Sequence, residues 1–160
     1  PFMVGLPPDD RAYYPLYARC IELGIPLSIN TGLPGPPVAG RCQDPMHLDP
    51  VCCFFPELDL VMAHGADPWW EVAIGLMERH PRLRLMTSAY APRYLPESLL
   101  DYMRGRGADR VIFASDHPVL SIERCVREAR ALDLPVEVLR AYLYGNAARV
   151  LLGEPPAPVT

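Results

Sequence analysis

The chain has 160 residues and a formal net charge of −4, with 50% of its residues hydrophobic and 21% charged. This is the mix of an ordinary globular domain with material for a core, and it lacks the clustered basic face that nucleic acid requires. All 15 basic residues are arginine, which excludes a phosphate-binding P-loop and Schiff-base catalysis, both dependent on a lysine amine.

The chain opens on Pro1, with Phe2-Met3-Val4-Gly5 reading as the end of a strand, so a processed chain or a fragment is expected. Tyr13, Leu16, Tyr17, Cys20 and Ile21 follow the i, i+3, i+4, i+7, i+8 stripe of an amphipathic helix, and Gly24 fits its exit. A first buried strand is expected over 25–30. The Pro- and Gly-rich stretch 31–46 exceeds the ~12–15 residues usual for a connection and reads as a lid or substrate loop. The following LDPVCCFF reads as a short helix carrying Cys52 and Cys53. Further strands are expected over 58–64, 83–88 and 110–116, each a short apolar run of the kind covered on both faces. Between and after them come two more helical stripes. One is Trp69, Val72, Ala73, Leu76 and Met77, opened by Asp67-Pro68 as N-cap and N1; the other is Ile122, Cys125, Val126 and Ala129. Pro96 and Pro135 fit helix openings and Gly107 a helix exit. Residues 154–160 read as a disordered tail.

Five cysteines without a Cys-x-x-Cys pair point to reduced thiols and a cytoplasmic location. Cys42, His47, Cys52 and Cys53 match no zinc-binding spacing. No run nears the ~18 apolar residues of a membrane span. Strand–helix alternation argues a parallel sheet with right-handed crossovers. Its units of roughly 25–33 residues approach one-eighth of a ~250-residue barrel, although an open doubly wound sheet has the same local pattern. Polar groups stand at the expected strand ends: Asn30, His64, Ser88 with Tyr90, and Asp116 with His117. Parallel strands bring such ends to one edge, where imidazole and carboxylate can bind a divalent cation or share a proton.

At these positions Ala63-His64-Gly65, Ser115-Asp116-His117-Pro118 and Gly145-Asn146-Ala147 resemble the amidohydrolase-related family. That family includes decarboxylases of the aminocarboxymuconate-semialdehyde and resorcylate type. Phe55-Pro56-Glu57-Leu58, His80-Pro81 and Asp109-Arg110-Val111-Ile112-Phe113 support the likeness, which spans nearly the whole chain and corresponds to the last half of a family member. The resemblance implies a (β/α)8 TIM-type barrel, to which residues 1–153 contribute the last four strand–helix units. It also implies one divalent metal, commonly zinc. Asp116 is then the metal ligand after the last strand, and His64 the histidine that acts on metal-bound water or substrate, close enough to share the metal. Asn30 stands where the family has a metal-binding histidine, and the family's first-strand His-x-His pair is absent from this chain. Asp116 and His64 alone do not complete a four-coordinate zinc. Asn30, Trp70, Tyr90, Arg93 and His117 are candidate substrate contacts, Arg93 through a bidentate grip on a carboxylate.

The expected activity is that of a metal-dependent hydrolase or decarboxylase acting on a small, carboxylate-bearing molecule. The alternative is a non-catalytic barrel relative whose degenerate metal site binds a small ligand or a partner subunit. A flavodoxin-like binding module ranks below both, because Asn30-Thr31-Gly32 makes a poor phosphate turn. Half a barrel exposes open strand edges, which predicts a homo-oligomer; nucleic-acid and membrane partners are not expected.

Overall fold

A computed structural model describes Pro1 and residues 3–153 of the chain. Phe2 and the expected tail, 154–160, lie outside the described residues. The chain divides into two compact units, Pro1–Leu85 and the remainder from Met86.

In the first unit, α1 (Tyr14–Leu23) leads to β1 (Leu27–Asn30), α2 (Leu48–Phe54), β2 (Leu60–Ala63), α3 (Trp70–Arg79) and β3 (Leu83–Met86). The strands pair in parallel, Leu27 beside Leu60 and Leu60 beside Leu83. β2 lies between two neighbours and is buried at all four positions, as a strand covered on both faces should be. α1 ends where Gly24 turns left-handed and its N–H reaches the Cys20 and Ile21 carbonyls. Of the stripe expected on α1, Tyr17 and Cys20 are buried, whereas Leu16 stays exposed. The Tyr17 hydroxyl donates to the Pro8 carbonyl at 2.6 Å, and burial raises its pKa above the usual phenol range.

Three expectations for this unit are corrected. Residues 3–5 form a turn and not a strand end, with the Val4 and Gly5 N–H groups both on the Pro1 carbonyl. Asp67-Pro68 does not open α3: the N-cap is Trp69, and Asp67 instead accepts from the Trp70 indole at 3.3 Å. The buried stripe of α3 is Trp70, Ala73, Leu76 and Met77, so Trp70 and not Trp69 is the core residue. Trp69 is the N-cap and lies outside the helix, so the stripe begins instead at Trp70, three residues before Ala73 and seven before Met77.

The second unit holds α4 (Glu97–Arg104), β4 (Val111–Ile112), α5 (Ile122–Ala129), α6 (Val136–Arg140), a π-helical turn (Ala141–Gly145) and α7 (Asn146–Leu151). Pro96 and Pro135 are N-caps as expected. α4 exits at Gly105, while Gly107 is instead required by packing, because a Cβ there would enter the Tyr102 ring. β4 lies beside the chain leaving β3, the Thr87 N–H donating to the Ile112 carbonyl at 3.0 Å. The strand order is β1-β2-β3-β4.

β4 is far shorter than the expected 110–116. The Phe113 N–H bonds the Tyr142 carbonyl, and the Asn146 side chain donates to the carbonyls of Ala108 (2.9 Å) and Val111 (2.8 Å). Asn146 is 1% exposed. Asn146→Ala leaves both carbonyls without this donor, so an expected loss of about 2 kcal/mol should appear as a lower urea midpoint. An unchanged midpoint would show that those carbonyls find other donors. Among the described residues no helix is long and apolar enough to cross a membrane.

Candidate active site

The residues at the C-terminal ends of the strands carry the candidate chemistry. In a parallel α/β fold these ends form the edge where ligands bind. Among the described residues, three that are not glycine have a left-handed backbone: His64 (φ 69), Ala89 (φ 59) and Asp116 (φ 58). Each follows a strand, β2, β3 and β4 respectively. A side chain in this conformation costs about 1–3 kcal/mol and persists where the surroundings enforce it, commonly at functional sites.

In the first unit Asn30 ends β1 in register with Ala63, so it stands beside the strand that delivers His64. Thr31 fastens the two exits. Its N–H donates to the Ala63 carbonyl at 3.0 Å and its hydroxyl to the Gly65 carbonyl at 2.7 Å. Gln43, also buried, returns from the long loop with its amide N–H on the Gly32 carbonyl at 2.7 Å, while the Gly32 N–H bonds the Gln43 carbonyl. The loop over 31–46 is thus anchored at both ends and contains 3-10 turns at Arg41–Gln43 and Pro45–His47. Thr31 and Gln43 were missed in the sequence. A threonine directly after a strand was the available signal for the first; Gln43 carried none.

His64 is half-buried, and Gly65 behind it is also left-handed, at φ +67. The Trp70 ring lies against Gly65 and is 8% exposed. Trp70 therefore props the turn that carries His64. Asn30 lines a cavity of about 270 Å3 together with Tyr13, Tyr17, Leu27, Ser28 and Ile29.

In the second unit Asp116 and His117 are exposed, in a turn closed by the Val119 N–H on the Asp116 carbonyl at 2.8 Å. Tyr90 lines a second cavity of about 270 Å3 with Ala89, Tyr94, Leu120 and Arg124. Arg93 is exposed, lies 5.0 Å from the Tyr94 ring centre and is 3.6 Å from Glu128. That carboxylate also receives the Arg124 Nε at 2.8 Å and is held below the usual carboxylate range, chiefly by that hydrogen bond. Asn30, His64 and Trp70 thus belong to the first unit, and Tyr90, Arg93, Asp116 and His117 to the second.

The Amidohydrolase family model matches residues 1–152. No curated protein matches the chain. Among solved structures, an uncharacterised TIM-barrel protein from Bordetella bronchiseptica is 32% identical with a TM-score of 0.79, the match covering 89% of this chain and 50% of that one. A dihydroxybenzoic acid decarboxylase from Polaromonas sp. JS666, solved with bound manganese and 2-nitroresorcinol, is 18% identical with a TM-score of 0.67, covering 91% and 55%. The 4-oxalomesaconate hydratase of Rhodopseudomonas palustris is 22% identical with a TM-score of 0.61, covering 91% and 51%. The chain spans about half the length of these relatives. Its parallel strand–helix units are part of a TIM barrel, the architecture the sequence predicted.

Proposed function

From the premise that the chain belongs to the amidohydrolase family, we propose that it supplies His64 and Asp116 to the active site of a metal-dependent hydrolase or decarboxylase whose substrate is a small carboxylate-bearing molecule. The observation that carries this reading is that two of the three left-handed non-glycine strand exits fall on the imidazole and the carboxylate of the family motifs. Asp116 offers a carboxylate oxygen and His64 an imidazole nitrogen, donor types that divalent cations take. Manganese is the ion bound by the Polaromonas decarboxylase. Such a cation, when bound, polarises a substrate oxygen or lowers the pKa of bound water toward ~7.

Asp116 is the residue that would hold the cation, and His64 the group that accepts or delivers a proton. Asn30, Tyr90 and His117 orient the substrate. Trp70 acts from behind, fixing Gly65 and hence the direction of the imidazole. Arg93 is already engaged by Glu128 and Tyr94 and stiffens the segment that carries Tyr90.

The test is metal content and affinity of the purified protein beside Asp116→Ala, both in a Cys53→Ser background that silences the thiol site described below. Asp116→Ala should lower manganese affinity at least about tenfold; unchanged content sinks the assignment. The second reading, a non-catalytic relative, draws on Asn30 at the position of a metal-binding histidine. It would be favoured if the unaltered protein binds no cation and Asn30→His restores binding.

A further inference from the structure

We propose that Asp49, Cys53 and His80 form a binding site for a thiophilic divalent cation of the zinc class, at the opposite end of the first unit's strands from His64. The three potential ligand atoms lie within 4.8 Å of one another. Asp49 and Cys53 are four residues apart on α2, so the helix itself puts them on one face. His80 caps the end of α3, just ahead of β3. Its backbone N–H is fixed on the Leu76 carbonyl at 2.8 Å, and the residue is 9% exposed. Its Nε2 stands 2.7 Å from Asp49 Oδ1. Thiolate, imidazole and carboxylate are the zinc donor set, and three protein ligands leave a fourth position to water. Cys53 is exposed and gives the cation its way in.

A cationic group already sits there. The Arg79 Nε lies 3.0 Å from Asp49 Oδ1, and its guanidinium is held in the charged form first by its hydrogen bond with Cys53 and then by Asp49. The cluster therefore attracts positive charge, and an incoming metal replaces Arg79. Binding also breaks the His80–Asp49 hydrogen bond. The Cys53 Sγ–H bond breaks as the Sγ–metal bond forms, and the proton passes to solvent, so affinity rises with pH. The neighbouring Cys52 is a poor competitor: burial pushes its pKa up to about 12, which keeps it a thiol.

The site is tested by titrating the protein with cobalt(II), read by the thiolate-to-metal charge-transfer band and the visible bands of tetrahedral cobalt. The bands are expected in the unaltered protein, lost in Cys53→Ser, and retained in Cys52→Ser and Asp116→Ala. Removing the competing guanidinium by Arg79→Ala should tighten binding by about tenfold, the scale on which outer groups tune metal sites. Far-UV circular dichroism checks that each variant is folded, and Cys53→Ser changes only an exposed position. Absence of a thiolate band, a band that survives Cys53→Ser, or weaker binding in Arg79→Ala would overturn the proposal.

Discussion

Gly65→Ala is expected to destabilise the first unit by about 3 kcal/mol, from a left-handed backbone cost of ~1–2 and an overpacking cost of ~1–3. The methyl would enter the Trp70 ring at Cη2 and come 3.1 Å from Cζ3. The ring has little room to retreat, being 8% exposed and tethered through its indole N–H to Asp67. The measurement is the urea midpoint of Gly65→Ala in two backgrounds. With Trp70 intact the whole loss appears. With Trp70→Ala already in place the collision is gone, and only the backbone cost of about 1–2 kcal/mol remains. Equal losses in both backgrounds would show that the ring is not the obstacle. No loss in either would show that Gly65 does not need its left-handed turn. The same substitution bears on chemistry, because Gly65 directly follows His64. A wedge between Gly65 and Trp70 moves the imidazole, so under the proposed role of His64 a loss of metal affinity should accompany the drop in stability.

The four strands could be read from the sequence because each is a short apolar run, and β2 shows why: Leu60, Val61, Met62 and Ala63 are all buried. Their ends could not. The expected strands overran at His64, Ser88 and Asp116 because the chain leaves the extended conformation through left-handed residues, or just before them. A left-handed histidine or aspartate has no signature in hydrophobic periodicity. β4 was overestimated for a second reason: its outer partners are a π-helical carbonyl and an asparagine amide, which end the ladder after two residues. Tertiary packing overrode local signals in the same way at Trp69 and Trp70. The metal-ligating trio shows the limit from another side. Cysteines and a histidine close in sequence were weighed together as a cluster, whereas His80 comes from the far end of α3 and meets Cys53 only in the fold. The family motifs also divided by role. His64 and Asp116 sit at strand exits, while Asn146 of the Gly-Asn-Ala motif closes the flank of β4 and is structural.

Tyr142→Ala is expected to cost the second unit about 4 kcal/mol, the usual penalty for emptying a buried aromatic position. The ring is fully buried, meets Phe113 edge-on at 5.6 Å and places its hydroxyl 2.7 Å from the Thr87 hydroxyl. Tyr142→Phe isolates the polar part and should cost about 1 kcal/mol, since the Thr87 hydroxyl keeps only a long 3.5 Å contact with the Ile112 carbonyl. Alkaline pH separates these contributions further. Burial raises the Tyr142 pKa well above the usual phenol value, only partly offset by the Thr87 hydrogen bond. The folded state therefore keeps its proton where the unfolded chain releases it. The stabilisation is complete below the unfolded value of about 10 and falls as pH rises past it, by about 1.4 kcal/mol per unit for each such tyrosine. Tyr17, also raised by burial, contributes the same slope in the first unit. Urea midpoints followed across that range should fall for the unaltered protein. In Tyr142→Phe the second unit should lose its share of the dependence while remaining folded at neutral pH. A slope unaffected by Tyr142→Phe would mean that the hydroxyl is ionised in the folded state, and that the second unit opens around it before it unfolds.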